Sequence, residues 1–216
     1  MGLNILEASR LYGVSKIVFV STVCAYPKFA PIPFNELDLW NGYPEETNAP
    51  YGIAKRALTE GMKFYQQQYG IKAVSVVPTN IYGPGEKAGE ASHVIGAMVH
   101  KFLEAVKNGT EVTLWGDGTP TRDFLYVEDA ARGIIEALKW EGTFNLSSNR
   151  EVSISELAKI VAKETGYQGV ITWDTSKPNG QPRRKVDPSK AILCGWTPAT
   201  SLEMGIANTV AWSRPY

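Results

Sequence analysis

Surplus charge is what this 216-residue sequence lacks first. Lysine and arginine together number 22, as do aspartate and glutamate, so the formal net charge is zero. That balance argues against a general nucleic-acid or anionic-membrane surface, since both need an excess of clustered cations. Cysteine is scarce too: Cys24 and Cys194 stand far apart and suggest no disulfide framework. No apolar run approaches the roughly 20 residues of a membrane span, and no basic-then-apolar leader opens the chain. Repeats and low-complexity stretches are missing as well. The expectation is a cytoplasmic protein with neither membrane nor nucleic-acid partners.

What is present is an ordinary globular apolar share, 44%. The length suits one large domain or one with a small companion. "MGLNILEASRLYGV" is helical from the start. Leu3, Leu6 and Leu11 are apolar, Glu7 and Arg10 are suited to water, and Gly13 is placed as a stop. "KIVFVSTVCAY" follows, and its run Ile17–Val20 suits a strand buried on both faces. The Pro-rich connection after it is long, which favours a functional role. Pro50 opens a helix to about Tyr69, closed by Gly70. "KAVSVVPTNIYG" is a second β-rich run, stopped by Gly83-Pro84-Gly85, and a helix covers about Ser92–Lys107. Next come strand, turn, short strand and helix, with Asp129 near the helix start, where a carboxylate is favoured. "TFNLSS" and "GVITWD" read as strands. "SISELAKIVAKETGY" reads as a helix with a Ser153/Glu156 capping box, and "SLEMGIANTVAW" as the last helix. Strands alternating with helices predict a parallel α/β first half, to about residue 88. The second half reads as a smaller, mixed α+β lobe.

One stretch, "NAPYGIAK", concentrates chemistry. Tyr51 and Lys55 lie four positions apart and so share a helix face. An ammonium near a phenol favours the phenolate, which equips a tyrosine to exchange protons near neutral pH. Ser21 and Thr22 end the preceding strand, and carboxyl ends of parallel strands are where such sheets bind ligands. The pair alone also fits an ordinary helix surface. Its setting is more specific: a strand ending in Ser-Thr, a long loop, Pro-Tyr-x-x-x-Lys, then a β run ending "PTNIYGPG".

With these pieces the chain resembles the extended short-chain dehydrogenases/reductases that act on nucleotide sugars, the NAD(P)-dependent epimerase/dehydratase family. The matching segments are "CAYPK", "EETNAPYGIAK", "PTNIYGPG", "SHVIGAMVHKF", "WGDGTPTRDFLYVED" and "TSKPNGQPRRKVD". The resemblance implies a partial Rossmann-like parallel sheet with helices over 1–88. It also implies a smaller substrate-binding lobe over 89–216, from which 112–145 returns in part to the first. It implies Tyr51 as proton donor, Lys55 as the cation that acidifies it and holds cofactor ribose, and Thr22 as the hydroxyl, with Ser21 in reserve at the cofactor. Cys24 and His93 correspond to a pair that moves protons during two epimerisations. Pro78, Asn80 and His93 fall beside the cofactor. Asn80, Lys101, Trp115, Arg122 and Lys177 fall on the substrate, and the cations among them suit its diphosphate. The implied activity is an NADP- or NAD-dependent epimerase-reductase working on a GDP-linked 4-keto-6-deoxy sugar. A UDP-sugar 4-epimerase, a dehydratase, and an inactive fragment that binds nucleotide sugar or self-associates remain alternatives.

The family opens with a strand and a G-x-x-G-x-x-G turn that holds the cofactor pyrophosphate. Nothing like it precedes residue 16. Gly83, Gly85 and Gly89 imitate it, but Pro84 removes an N–H, and Glu86 and Glu90 would repel phosphate. The expectation is the C-terminal two-thirds of such an enzyme, with impaired cofactor binding and a homodimer formed through the first two helices. Ala54, Ala57, Leu58, Met62 and Tyr65 would form the apolar stripe of that dimer, or pack on the sheet.

Overall fold

The computed structural model describes residues 1–86 and 93–214; Gly89, Glu90 and Ser92 of the expectations above lie outside them. In chain order the elements open with α1 (Gly2–Leu11), β1 (Lys16–Val20), α2 (Ala49–Tyr69), β2 (Lys72–Pro78), β3 (Asn80–Tyr82) and α3 (Val94–Asn108). They continue with β4 (Val112–Trp115), β5 (Thr121–Tyr126), α4 (Val127–Glu136), β6 (Gly142–Leu146), β7 (Glu151–Ser153) and α5 (Ile154–Thr165). The last are β8 (Ile171–Asp174), β9 (Arg183–Arg184), α6 (Ser189–Leu193) and α7 (Leu202–Ser213). No helix among the described residues is long and apolar enough to cross a membrane.

The chain divides into two compact units and passes from one to the other five times. The first holds Met1–Thr79, Ala130–Asn149 and Lys185–Thr197. Its sheet is parallel, in the order β1-β2-β6, with Val18 opposite Val74 and Val74 opposite Gly142. β2 lies in the middle and is buried from Ala73 onward. β1 was expected to be buried on both faces. It is instead half-buried along all five residues, because it forms an edge of this sheet. Gly13 and Gly70 end α1 and α2 in left-handed backbone, at φ 69° and 74°. Leu6 of α1 packs with Met62 and Ala73, and Tyr65 joins them, its hydroxyl donating to Glu7 at 3.0 Å. Leu58 lies against Gly2. The expected stripe therefore splits: Leu58, Met62 and Tyr65 serve the α1–α2 contact, while Ala54 and Ala57 stay exposed.

The long Pro-rich connection is ordered by buried polar groups. Asn145 on β6 donates through Nδ2 to the carbonyls of Phe34 (3.0 Å) and Asp187 (3.1 Å). It accepts from the Tyr26 hydroxyl at 2.7 Å, and its backbone N–H reaches Glu36 Oε1 at 2.7 Å. Burial pushes the Glu36 carboxyl above the ordinary carboxylate range. Tyr26 stacks on Phe34, ring centroids 5.0 Å apart, within a cluster that includes Val77 and Val186.

The second unit holds Asn80–Asp129, Arg150–Arg184 and Pro198–Tyr216. β5 pairs parallel with β3 and β9 and antiparallel with β7; β4 pairs parallel with β8. α3, α5 and α7 close over a core of Ile95, Val99, Phe102, Leu157, Val161 and Ile206. Ser153 caps α5, accepting from the Glu156 N–H at 3.1 Å, but the Glu156 carboxylate turns to Arg150 (3.2 Å) instead of completing the box. Asp129 lies in the first turn of α4, and its buried carboxylate accepts from Ala199 N–H (3.2 Å) and Thr200 N–H (2.9 Å). The part of the second half that joins the first unit is 130–149, with 185–197 in addition; residues 112–129 remain in the second.

Candidate active site

In the first unit, β1 stops at Val20 because the chain turns there. Ser21 still donates its N–H to Val76 O (2.8 Å). Thr22 then caps the 3-10 turn Val23–Ala25, its Oγ1 accepting from Cys24 N–H at 3.2 Å. Ser21 is only 4% exposed, and its hydroxyl has no hydrogen-bond partner among the described residues. Cys24 is half-buried and takes part in no disulfide.

α2 comes onto this turn at its first residues. Pro50 sits in the first turn as the sequence predicts. Gly52 allows contact: a Cβ there would overlap the Cys24 carbonyl oxygen. Tyr51, 51% exposed, presents its ring beside the junction. Lys55 bridges helix and strand. Its ammonium donates to Val20 O at 2.7 Å and lies 5.6 Å from the Tyr51 ring centroid and 5.0 Å from that of Phe19. Burial lowers its pKa below the ordinary lysine value. Ser21, Thr22, Cys24, Tyr51 and Lys55 thus gather at the carboxyl end of β1. Pro78 lies buried at the matching end of β2, opposite Leu146. What could sit here is a polar, hydroxyl-bearing group facing a phenol with a cation behind it.

The remaining predicted residues belong to the second unit. Asn80 begins β3 and donates to Asp123 O at 2.9 Å. His93 is the N-cap residue of α3; its N–H meets Glu86 Oε1 at 2.5 Å, and its Nδ1 lies 3.0 Å from the same oxygen. Lys101 on α3 donates to Thr113 O at 2.5 Å. Trp115, 69% exposed at the end of β4, has the Lys177 ammonium 5.8 Å from its ring centroid. Arg122 on β5 donates to Thr121 O (2.7 Å) and stands in register beside Arg184 of β9. Burial first, and the Arg184 charge second, push the Arg122 guanidinium down to about 10. Two guanidiniums side by side make a place for an anion with several oxygens.

Sequence reasoning assigned no roles to Phe19, Gly52 and Arg56, and included Arg184 only within the matching segment "TSKPNGQPRRKVD". A glycine in the first turn of an otherwise regular helix was the available signal for Gly52. The others become visible only through contacts with residues far away in the chain.

The profile of the "NAD dependent epimerase/dehydratase family" matches residues 1–147. A GDP-L-fucose synthase from Sinorhizobium fredii is 42% identical over 214 residues, 97% of this chain and 68% of that protein. A GDP-L-fucose synthetase from Naegleria fowleri, solved bound to NADP, superposes with a TM-score of 0.91 at 31% identity, over 98% of this chain and 70% of that one. A UDP-glucose 4-epimerase from Thermotoga maritima, solved with UDP-glucose, gives 0.87 at 30% identity, over 98% of this chain and 67% of its own. The chain therefore spans about two-thirds of these relatives. With the profile covering more than half of its residues, the chain belongs to the NAD-dependent epimerase/dehydratase family.

Proposed function

We propose that the protein is an NADPH-dependent nucleotide-sugar epimerase-reductase that takes GDP-4-keto-6-deoxy-mannose to GDP-L-fucose. The observation that carries this is the Lys55 ammonium, anchored on Val20 O and set against the Tyr51 ring, with Thr22 and Cys24 on the adjoining turn. The unpartnered buried hydroxyl of Ser21 supports a cofactor at the same place, since a ribose or carboxamide group would satisfy it. When bound, the nicotinamide supplies hydride to the C4 carbonyl. Tyr51 gives its phenolic proton to the carbonyl oxygen, and Lys55 stabilises the negative oxygen that remains. Thr22 holds the same carbonyl oxygen by hydrogen bonding. Cys24 and His93 exchange the protons next to the carbonyl, at C3 and C5, before reduction. Ser21, Pro78, Asn80 and Lys55 hold the cofactor. Arg122, with Arg184 beside it, takes the diphosphate; Lys101 and Lys177 add charge, and Trp115 offers a flat face to the nucleotide or sugar.

Tyr51→Phe keeps the ring and removes the proton. Ketone reduction is expected to fall by about 10²–10⁴-fold, the usual worth of a positioned acid, while calorimetric binding of GDP is unchanged. Normal reduction by that variant would end the assignment. The UDP-glucose 4-epimerase match favours a second reading, a UDP-sugar 4-epimerase. Product analysis with GDP- and UDP-linked sugars decides between the two.

We also propose a homodimer through α1 and α2. Leu3, Leu11, Ile53 and Phe64 leave large apolar surfaces exposed on these helices.

A further inference from the structure

Arg56 is a buried cation without a counter-ion among the described residues. The residue is 6% exposed, and burial lowers its pKa. Nε donates to Ala25 O, Nη1 donates to Gly42 O at 2.8 Å, and Nη2 meets no acceptor among the described residues. The guanidinium lies over Trp40, 5.8 Å from its ring centroid. An unpaired buried charge is costly, and an apolar side chain of similar length would fill the same space more cheaply. What the guanidinium adds is a grip on two carbonyls at once. Ala25 closes the 3-10 turn that carries Cys24 and is capped by Thr22. Gly42 follows the second 3-10 turn, Glu36–Trp40, in the Pro-rich connection.

One helical turn before Arg56, Gly52 brings the α2 backbone onto the Cys24 carbonyl. Residues 52 and 56 share one helix face, and residues 51 and 55 share the face next to it. The face that grips the turn is therefore offset by a single residue from the face that carries the phenol and the ammonium. Sliding or rolling α2 on the turn would displace Tyr51 and Lys55 relative to Thr22 and Cys24.

We propose that Arg56, together with Gly52, is a positioning residue that clamps the turn Val23–Ala25 to α2 and so sets the Tyr51 hydroxyl against Thr22 and Cys24. The kinetic part of this proposal rests on the function proposed above; the clamp itself does not. Arg56→Met keeps the volume and loses both bonds, and Arg56→Lys keeps the charge and reaches one carbonyl. The first readout is amide hydrogen exchange by NMR on the full chain. Exchange at Cys24 and Ala25 is expected to speed up at least 10-fold in Arg56→Met and less in Arg56→Lys, with Val76 in β2 unchanged. Unchanged or uniformly faster exchange would overturn the clamp. The second readout is steady-state reduction of the GDP-linked ketone. A kcat at least 10-fold lower in Arg56→Met, partly restored in Arg56→Lys, with KM within 2-fold of wild type, supports the positioning role. A normal kcat despite local loosening would overturn that role. Wild-type protein that neither reduces the ketone nor exchanges its C3 and C5 protons would refute the proposed function, and exchange at Cys24 and Ala25 would then decide the clamp by itself. If Arg56→Met does not fold, Arg56→Lys carries both readouts.

Discussion

Glu36 shows how one side chain couples the Pro-rich connection to the sheet. Its carboxylate accepts the Asn145 N–H, and burial raises its pKa. The folded protein therefore holds this proton to a higher pH than the unfolded chain does. The stabilisation is complete below the ordinary glutamate value, about 4.3, and is lost as pH rises through the raised folded value. Glu36→Gln keeps an acceptor oxygen and removes the titration. Its urea midpoint relative to wild type is expected to be higher at pH 7 than at pH 4; an equal difference at both would refute the linkage. Residues of this kind were hard to read in advance. Tyr51 and Lys55 were legible because their relation is local, four positions on a helix. The end of an apolar run offered Ser21 and Thr22 together, and only the family resemblance preferred Thr22. Glu36 and Arg56 meet partners that sequence spacing does not bring near: Asn145 for one, and the carbonyls of Ala25 and Gly42 for the other.

At the scale of elements, helices with punctuation were read almost to the residue. Gly13 and Gly70 stop α1 and α2, Pro50 starts α2, and Ser153 caps α5. β7, β9 and α6 went unseen because three, two and five residues are too short to display a period. β1 was read as a strand, but its burial was not, since an edge position depends on neighbours that its own residues do not encode. The proposed dimer is tested at this scale. Phe64 lies exposed on α2, so Phe64→Glu places a charge on the helix surface without opening the core. Wild-type chain is expected to sediment as a dimer and the variant as a monomer with an unchanged circular dichroism spectrum. A monomeric wild type would remove the proposal.

For the whole molecule, the boundary expected near residue 88 falls at Thr79, and later segments are shared out between the units in turn. Local patterning has no means of announcing this, because it is decided by which segments find each other after collapse. Asp129 is one of the ties that complete the second unit, joining the start of α4 to the segment leading into α7. Asp129→Ala leaves two backbone N–H groups without this acceptor inside the protein. It is expected to cost about 2–4 kcal/mol in urea unfolding, and Asp129→Asn about half as much. A loss under 0.5 kcal/mol for the alanine variant would show that water replaces the carboxylate there.

The repeated passage of the backbone between the two units bears on how such a protein can change over time. No single cut in the gene separates one unit from the other, so recombination cannot trade either unit for a new one in a single event. Diversification of either unit must proceed by replacements and small insertions within the existing framework. An engineer who wishes to transplant either unit faces the same constraint, and must graft three separate stretches together.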